Sequence, residues 1–84
     1  MAKMMCVHDI KGINQNQINE LIEKSKSSND PRLNQVLYNT DKGEAFFEWD
    51  ASSADKVMAH HQSLGLGACR EMLPVTAVEV KRGY

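Results

Sequence analysis

Residues 52–67 read SSADKVMAHHQSLGLG, and the helix that this stretch predicts decides how the rest of the chain can fold. Ser52 and Asp55 have the spacing of a capping box, which predicts that the helix begins at Ser52. Gly65 and Gly67 follow the helical pattern, and glycine adopts the backbone conformation with which helices commonly end. We therefore predict one amphipathic helix closed by glycine.

The two histidines of this helix face different directions. An apolar stripe follows the helical period and consists of Ala54, Val57, Met58 and Leu64. His61 lies near the middle of this stripe, whereas His60 lies at its edge. His61 is therefore predicted to point into the core.

Residues 1–84 are predicted to form a single small domain. A chain of this length buries only about 60% of its unfolded surface, so its stability on its own is marginal. A partner subunit, a ligand or a metal would add stability to such a domain. The formal net charge of −1 gives no electrostatic reason to expect nucleic acid or an anionic membrane as a partner.

The cysteines indicate a reducing compartment. Cys6 and Cys69 are too few for the disulfide framework of a small secreted domain. The sequence also contains no apolar run of about 18 residues and no charged-then-apolar leader. We therefore expect a cytoplasmic protein.

Four strands and a second helix complete the predicted secondary structure. Asn14 and Gln17 have capping-box spacing, so this helix is predicted to begin after Asn14 and to run to about Lys26. Gly43 is predicted to take the left-handed conformation in a three-residue hairpin loop, 41–43. The predicted strands are residues 3–10, 32–40, 44–50 and 75–81.

The element order β-α-β-β-α-β predicts an α+β fold, the ferredoxin-like sandwich. In this fold a four-stranded antiparallel sheet carries two helices on one face. Ala45, Phe47 and Trp49 alternate onto one face of the third strand, and Phe46 lies among acidic residues on the other. Apolar residues on both faces of the first three strands favour a homodimer formed sheet to sheet, a dimeric α/β barrel. The alternative is a monomer with one partly apolar sheet face.

This topology places His8 and His61 at similar heights. His61 lies about 14 Å along its helix, and His8 lies about 17 Å along the first strand from Lys3. The strand period groups His8 with Met4, Cys6 and Ile10 but leaves open which sheet face they occupy.

If the two imidazoles meet, a metal site is the sharpest interpretation. Imidazole suits nickel, zinc and copper, and Cys6 or Cys69 could add a thiolate. Asp9 could be a further ligand or could orient His8. The alternative is a core histidine that is hydrogen-bonded to the backbone, with both cysteines acting as small buried apolar groups.

Other functions stay open because no motif specifies a reaction. Cys69 with His61 or His8 could form a nucleophile pair. Phe47 and Trp49 could line a pocket that binds or oxidises a small hydrophobic molecule. The chain could also be a structural or regulatory interaction domain. The sequence leaves enzymatic activity undecided and favours a role without it.

Nearly the whole chain resembles a family of small uncharacterised ferredoxin-like proteins that includes a nickel-binding member. The opening MMCVHDI is similar to the family's first strand, which often ends in a histidine and an acid, here His8 and Asp9. The resemblance implies a sheet-to-sheet dimer and binding of a divalent transition metal, nickel above all, through His8 and His61. The other matching residues are Asp41, Gly43, Phe46, Phe47, Ala51, Val57 and Gly65, and the departures are Glu48, Gly67 and Cys69.

Overall fold

A computed structural model describes residues 1–66 and 69–83. The elements are β1 (Ala2–Asp9), α1 (Gln15–Ser25), β2 (Arg32–Asn39), β3 (Glu44–Ala51), α2 (Ala54–Ser63) and β4 (Glu71–Pro74). The strands form one antiparallel sheet in the order β2-β3-β1-β4, so the predicted ferredoxin-like β-α-β-β-α-β arrangement is confirmed. Among the helices described, none has the length and apolar character needed to span a membrane.

The core forms where both helices cover one face of the sheet. Ile18 of α1 and Val57 of α2 belong to the same buried cluster as Phe47 and Trp49 of β3. Side chains alternate between the two faces of a strand, so every second residue of β3 is buried, as predicted.

The predicted start of α1 is confirmed. The Asn14 side chain accepts a hydrogen bond from the Gln17 backbone, and the Gln17 side chain accepts one from the Asn14 backbone, which completes the capping box. Gly43 has a φ of +69°, as the hairpin required. The hairpin loop is one residue longer than predicted, because Asn39 pairs with Glu44.

The predicted start of α2 is wrong by one residue. Ser53 is the N-cap, and its side chain accepts a hydrogen bond from the Lys56 backbone. Ser52 is not available as a cap, because its backbone N–H and hydroxyl donate to Asp30 at 2.9 and 2.7 Å. Met58, which was predicted to face the core, is 40% exposed.

The end of α2 fits the prediction where the structure describes it. The chain leaves the helix through Gly65, whose φ is +79°. Gly67 lies outside the described residues.

The predicted fourth strand, residues 75–81, is also wrong. β4 covers Glu71–Pro74, and residues 75–83 contain no helix or strand. The reason is the register with β1, in which Pro74 already lies opposite Met4. In this register Val75 and Thr76 would lie opposite Lys3 and Ala2, so a strand continuing past residue 76 would run beyond the start of β1 and lose its hydrogen-bonding partner.

Asp30 ties the turn before β2 to the start of α2, and this contact predicts an acid-sensitive stability. Hydrogen bonds from Ser52, together with Lys56 at 3.0 Å, lower the pKa of Asp30 from 3.8 to about 2. Because the folded pKa is depressed, the stabilisation is present above about pH 4 and is lost as the pH falls through about 2. We expect Asp30→Asn to lower stability at neutral pH and to flatten the acid limb of a denaturation-versus-pH curve.

Asp41→Asn, on the exposed hairpin loop, is the matched control for the loss of one negative charge. An acid limb of equal steepness in Asp30→Asn and the wild type would contradict this account.

Candidate metal centre

β1 turns Cys6 and His8 toward the helices. Cys6 lies opposite Phe47 and His8 opposite Ala45, both on the core face of β3. Cys6 is 0% and His8 5% exposed. The structure therefore settles the face of His8, which the strand period alone left open.

α2 brings His61 to the same place. His61 lies one helical turn after Val57, and both side chains are fully buried. The ring centroids of His8 and His61 are 5.6 Å apart, and the Phe47 ring packs edge-on against His61 at 5.1 Å. The two imidazoles are therefore in proximity, which is the condition on which the metal-site hypothesis depended.

Cys69 completes the cluster from the segment that precedes β4. Cys6 and Cys69 are joined by a disulfide, so the expectation of two reduced cysteines is wrong for this state of the protein. One donor atom each from Cys6, His8, His61 and Cys69 lies within 4.8 Å of the others. We call these four residues the Cys-His cluster.

Asp9 is not brought into the Cys-His cluster. It follows His8 on the strand and therefore points to the opposite face of the sheet. Its carboxylate accepts a hydrogen bond from Arg70 at 2.9 Å and is largely exposed.

His61 is neutral because of its surroundings. Burial, followed by the neighbouring His8 and His60, lowers the pKa of His61 from 6.5 to about 4. A neutral imidazole is the form that can donate a lone pair to a metal.

Trp49 fixes the proton of His61. The indole Nε1–H of Trp49 donates to Nε2 of His61 at 3.1 Å, so the ring proton of neutral His61 is on Nδ1. Ligation through Nε2 would take the lone pair that Trp49 uses, and ligation through Nδ1 would move the proton to Nε2. Either way, binding a metal breaks the hydrogen bond to Trp49.

The cluster contains polar atoms without partners. Nδ1 of His8 and Nδ1 of His61 are buried and form no hydrogen bond with any part of the chain that the structure describes. Such an atom typically costs about 1–3 kcal/mol. Two unpaired imidazole nitrogens beside two sulfurs fit a soft transition metal, for which nitrogen and sulfur are preferred donors.

His60 lies outside the Cys-His cluster. Its Nε2 is 3.3 Å from the hydroxyl of the buried Ser25, and its ring packs edge-on against Trp49. The helical period therefore separated His60 from His61 correctly.

The sequence interpretation missed the Trp49–His61 hydrogen bond, since its only non-metal alternative for His61 was a backbone partner. A signal was present, because a buried indole N–H needs an acceptor and Trp49 shares a face with Phe47.

The aromatic side chains offer no pocket of their own. Phe47 and Trp49 are at most 1% exposed and pack against His61. A cleft of about 350 Å³ instead lies between α1 and β2, where Ile22, Ser25 and Leu33 contribute to its lining. This packing counts against a hydrophobic ligand site around Phe47 and Trp49.

The disulfide predicts a stability that depends on reductant. It joins residues 63 positions apart, and loop closure of that length stabilises a chain by about 4 kcal/mol in the entropic account. We expect reduction in the presence of a chelator to lower the free energy of unfolding by about 2–4 kcal/mol, measured by urea denaturation. Cys69→Ser should show no response to reductant, and an unchanged wild-type midpoint would contradict the prediction.

Comparisons with known proteins bear on the fold. No protein-family model matches the chain, and no curated protein matches it. The crystal structure of SCO4226 from Streptomyces coelicolor A3(2) superposes with a TM-score of 0.80 at 20% sequence identity, covering 93% of this chain and 100% of that one. The chain is therefore similar in fold to a Streptomyces protein, and nickel binding, which the sequence resemblance implied, stays a proposal.

Proposed function

We propose that this protein binds a divalent transition metal through His8 and His61, joined by the thiolates of Cys6 and Cys69 once these are reduced. The observation that carries the proposal is the Cys-His cluster itself. Four donor atoms from two distant parts of the chain lie within 4.8 Å of one another, and two of the buried imidazole nitrogens are unpaired among the described residues.

The donor set limits the choice of metal. Two thiolates and two imidazoles are a common tetrahedral environment for zinc. Nickel also accepts imidazole and is the metal that the family resemblance implies. Zinc and nickel are therefore the two ions to compare, and a cytoplasmic location would supply the reducing conditions that the thiolates need.

The burial of the Cys-His cluster favours tight binding of a metal ion. Cys6 and His61 are fully buried, and Phe47 closes one side of the His61 ring. A dry site strengthens the attraction between thiolates and a divalent cation. Metal binding would break the hydrogen bond from Trp49 to His61, so the bond between the metal and His61 must compensate for that loss.

Calorimetry on reduced protein tests the proposal. We expect one zinc or nickel ion to bind per chain, and His61→Ala and His8→Ala each to weaken binding by more than about 100-fold. The reason is that loss of a group that only hydrogen-bonds to a ligand already costs about 10–100-fold. Circular dichroism checks that each variant folds.

His60→Ala is the matched control, since it removes the neighbouring histidine that lies outside the cluster. Negligible heats with both metals in the wild type, or unchanged affinity in both His8→Ala and His61→Ala, would refute the proposal.

We also propose that a second copy of this chain covers the sheet face opposite the helices. This open face carries two exposed leucines, Leu37 at 53% and Leu73 at 41%. Strand pairing places them beside further apolar side chains, and a symmetric pair of copies would bury those that are still exposed. The apolar residues of the open face are Met5, Leu37, Phe46 and Leu73, together with Val7, which is already buried at 3% exposure.

Ion pairs border the open face at both ends and would suit contact with an identical surface. Lys3 contacts Asp50 at 2.9 Å at one end, and Arg70 contacts Asp9 and Glu44 at the other. These pairs reduce the like-charge repulsion that two acidic rims would otherwise create.

Sedimentation tests the dimer. We expect the wild type to sediment at twice the 9.4 kDa chain mass and Leu37→Lys to sediment as a monomer, because a charge would be buried in the apolar contact. Met58→Lys places the same charge on an exposed apolar residue of α2 and should remain dimeric. A wild type that is monomeric at micromolar concentration would contradict the proposal.

A further inference from the structure

We infer that the Cys6–Cys69 disulfide makes metal binding redox-controlled, so that the oxidised chain excludes the ion and the reduced chain holds it. This inference rests on the proposed metal-binding function. It goes further by assigning the sulfur pair two alternative and mutually exclusive partners, each other or the metal.

The exclusion follows from what the sulfurs can donate. A thiolate is the form of cysteine that binds metals, and in the disulfide neither sulfur is a thiolate. Oxidation therefore leaves only the two imidazoles of His8 and His61, and one of them is already engaged by Trp49. Two of the four donors disappear together.

The same distances that allow the disulfide also allow the metal site. The sulfurs lie within 4.8 Å of a ring nitrogen of each histidine, so reduction frees both thiols beside the two imidazoles. The ligand set therefore needs little backbone movement to assemble. Since β1 is a central strand, Cys6 and His8 keep their positions whichever state the sulfurs occupy.

Unequal exposure sets the order of the exchange. Cys6 is fully buried on β1, whereas Cys69 is partly exposed in the segment before β4. Arg70 anchors that segment through its backbone N–H, which donates to the Val7 carbonyl at 2.8 Å. A reagent from solvent therefore meets Cys69 first, and Cys6 is the resolving sulfur.

A dithiol reduces the Cys6–Cys69 disulfide in two thiol–disulfide exchange steps. A thiolate of the dithiol attacks the Cys69 sulfur, the S–S bond breaks, and Cys6 leaves as a thiolate. The second thiol of the reagent then attacks the mixed disulfide and releases Cys69, so two electrons pass to the protein and the reagent becomes a disulfide. Binding of the divalent ion then displaces the remaining thiol protons.

Oxidation by hydrogen peroxide reverses the switch. The Cys69 thiolate attacks one peroxide oxygen, the O–O bond breaks, and the departing hydroxide takes a proton to give water. The Cys6 thiolate then displaces the hydroxyl of the Cys69 sulfenic acid as a second water and forms the disulfide. Two electrons leave the protein, two protons are consumed, and the metal loses both sulfur ligands.

The test uses the full chain and zinc alone. Reduced, zinc-loaded protein is treated with hydrogen peroxide while a chromogenic zinc chelator and a thiol assay follow the reaction. We expect one zinc to be released for every two thiols lost, and dithiothreitol to restore binding. Equilibrium titration should show zinc binding to the oxidised chain at least about 100-fold more weakly, since two ligands are gone.

Two controls separate the possible failures. The double variant Cys6→Ala/Cys69→Ala keeps the imidazole pair, so its weaker zinc affinity should not change with reductant. His60→Ala should respond as the wild type does.

The outcomes distinguish this inference from the function on which it rests. If the reduced wild type binds no zinc, the proposed function fails. If reduced and oxidised chains bind zinc equally, metal binding stands and redox control is overturned. Thiol loss without zinc release overturns it as well.

Discussion

Two imidazoles and two sulfurs lie together within a chain of only 84 residues, and the rest of the structure depends on how these polar groups are satisfied. The disulfide satisfies the sulfurs, and Trp49 satisfies one nitrogen of His61. The Nδ1 atoms of both histidines stay unpaired within the described residues. A small domain has little stability to spare for such atoms, and the metal ion that we propose would compensate for them.

The architecture could be predicted because its determinants are local. The buried alternation of β3, the Asn14 cap and the positive φ of Gly43 each depend on neighbours in sequence. The errors arose where distant residues intervened. Asp30 captures Ser52 and moves the start of α2, and the beginning of β1 limits how far β4 can extend.

The candidate site was predictable in part. Residue spacing selected His8 and His61 and placed them at one height, but the face of His8 depended on packing, because both faces of β1 carry apolar residues. The pairing of Cys6 with Cys69 depends on a separation of 63 residues that only the tertiary fold closes. Asp9 could have been set aside from sequence, since consecutive strand residues cannot both face the core.

The central claim is that sulfur and imidazole share one metal ion. X-ray absorption at the zinc edge of the reduced, zinc-loaded protein measures this directly. The account predicts two sulfur ligands at about 2.3 Å and two nitrogen ligands at about 2.0–2.1 Å. A spectrum with only nitrogen and oxygen neighbours would contradict it, because the ion would then lie away from Cys6 and Cys69.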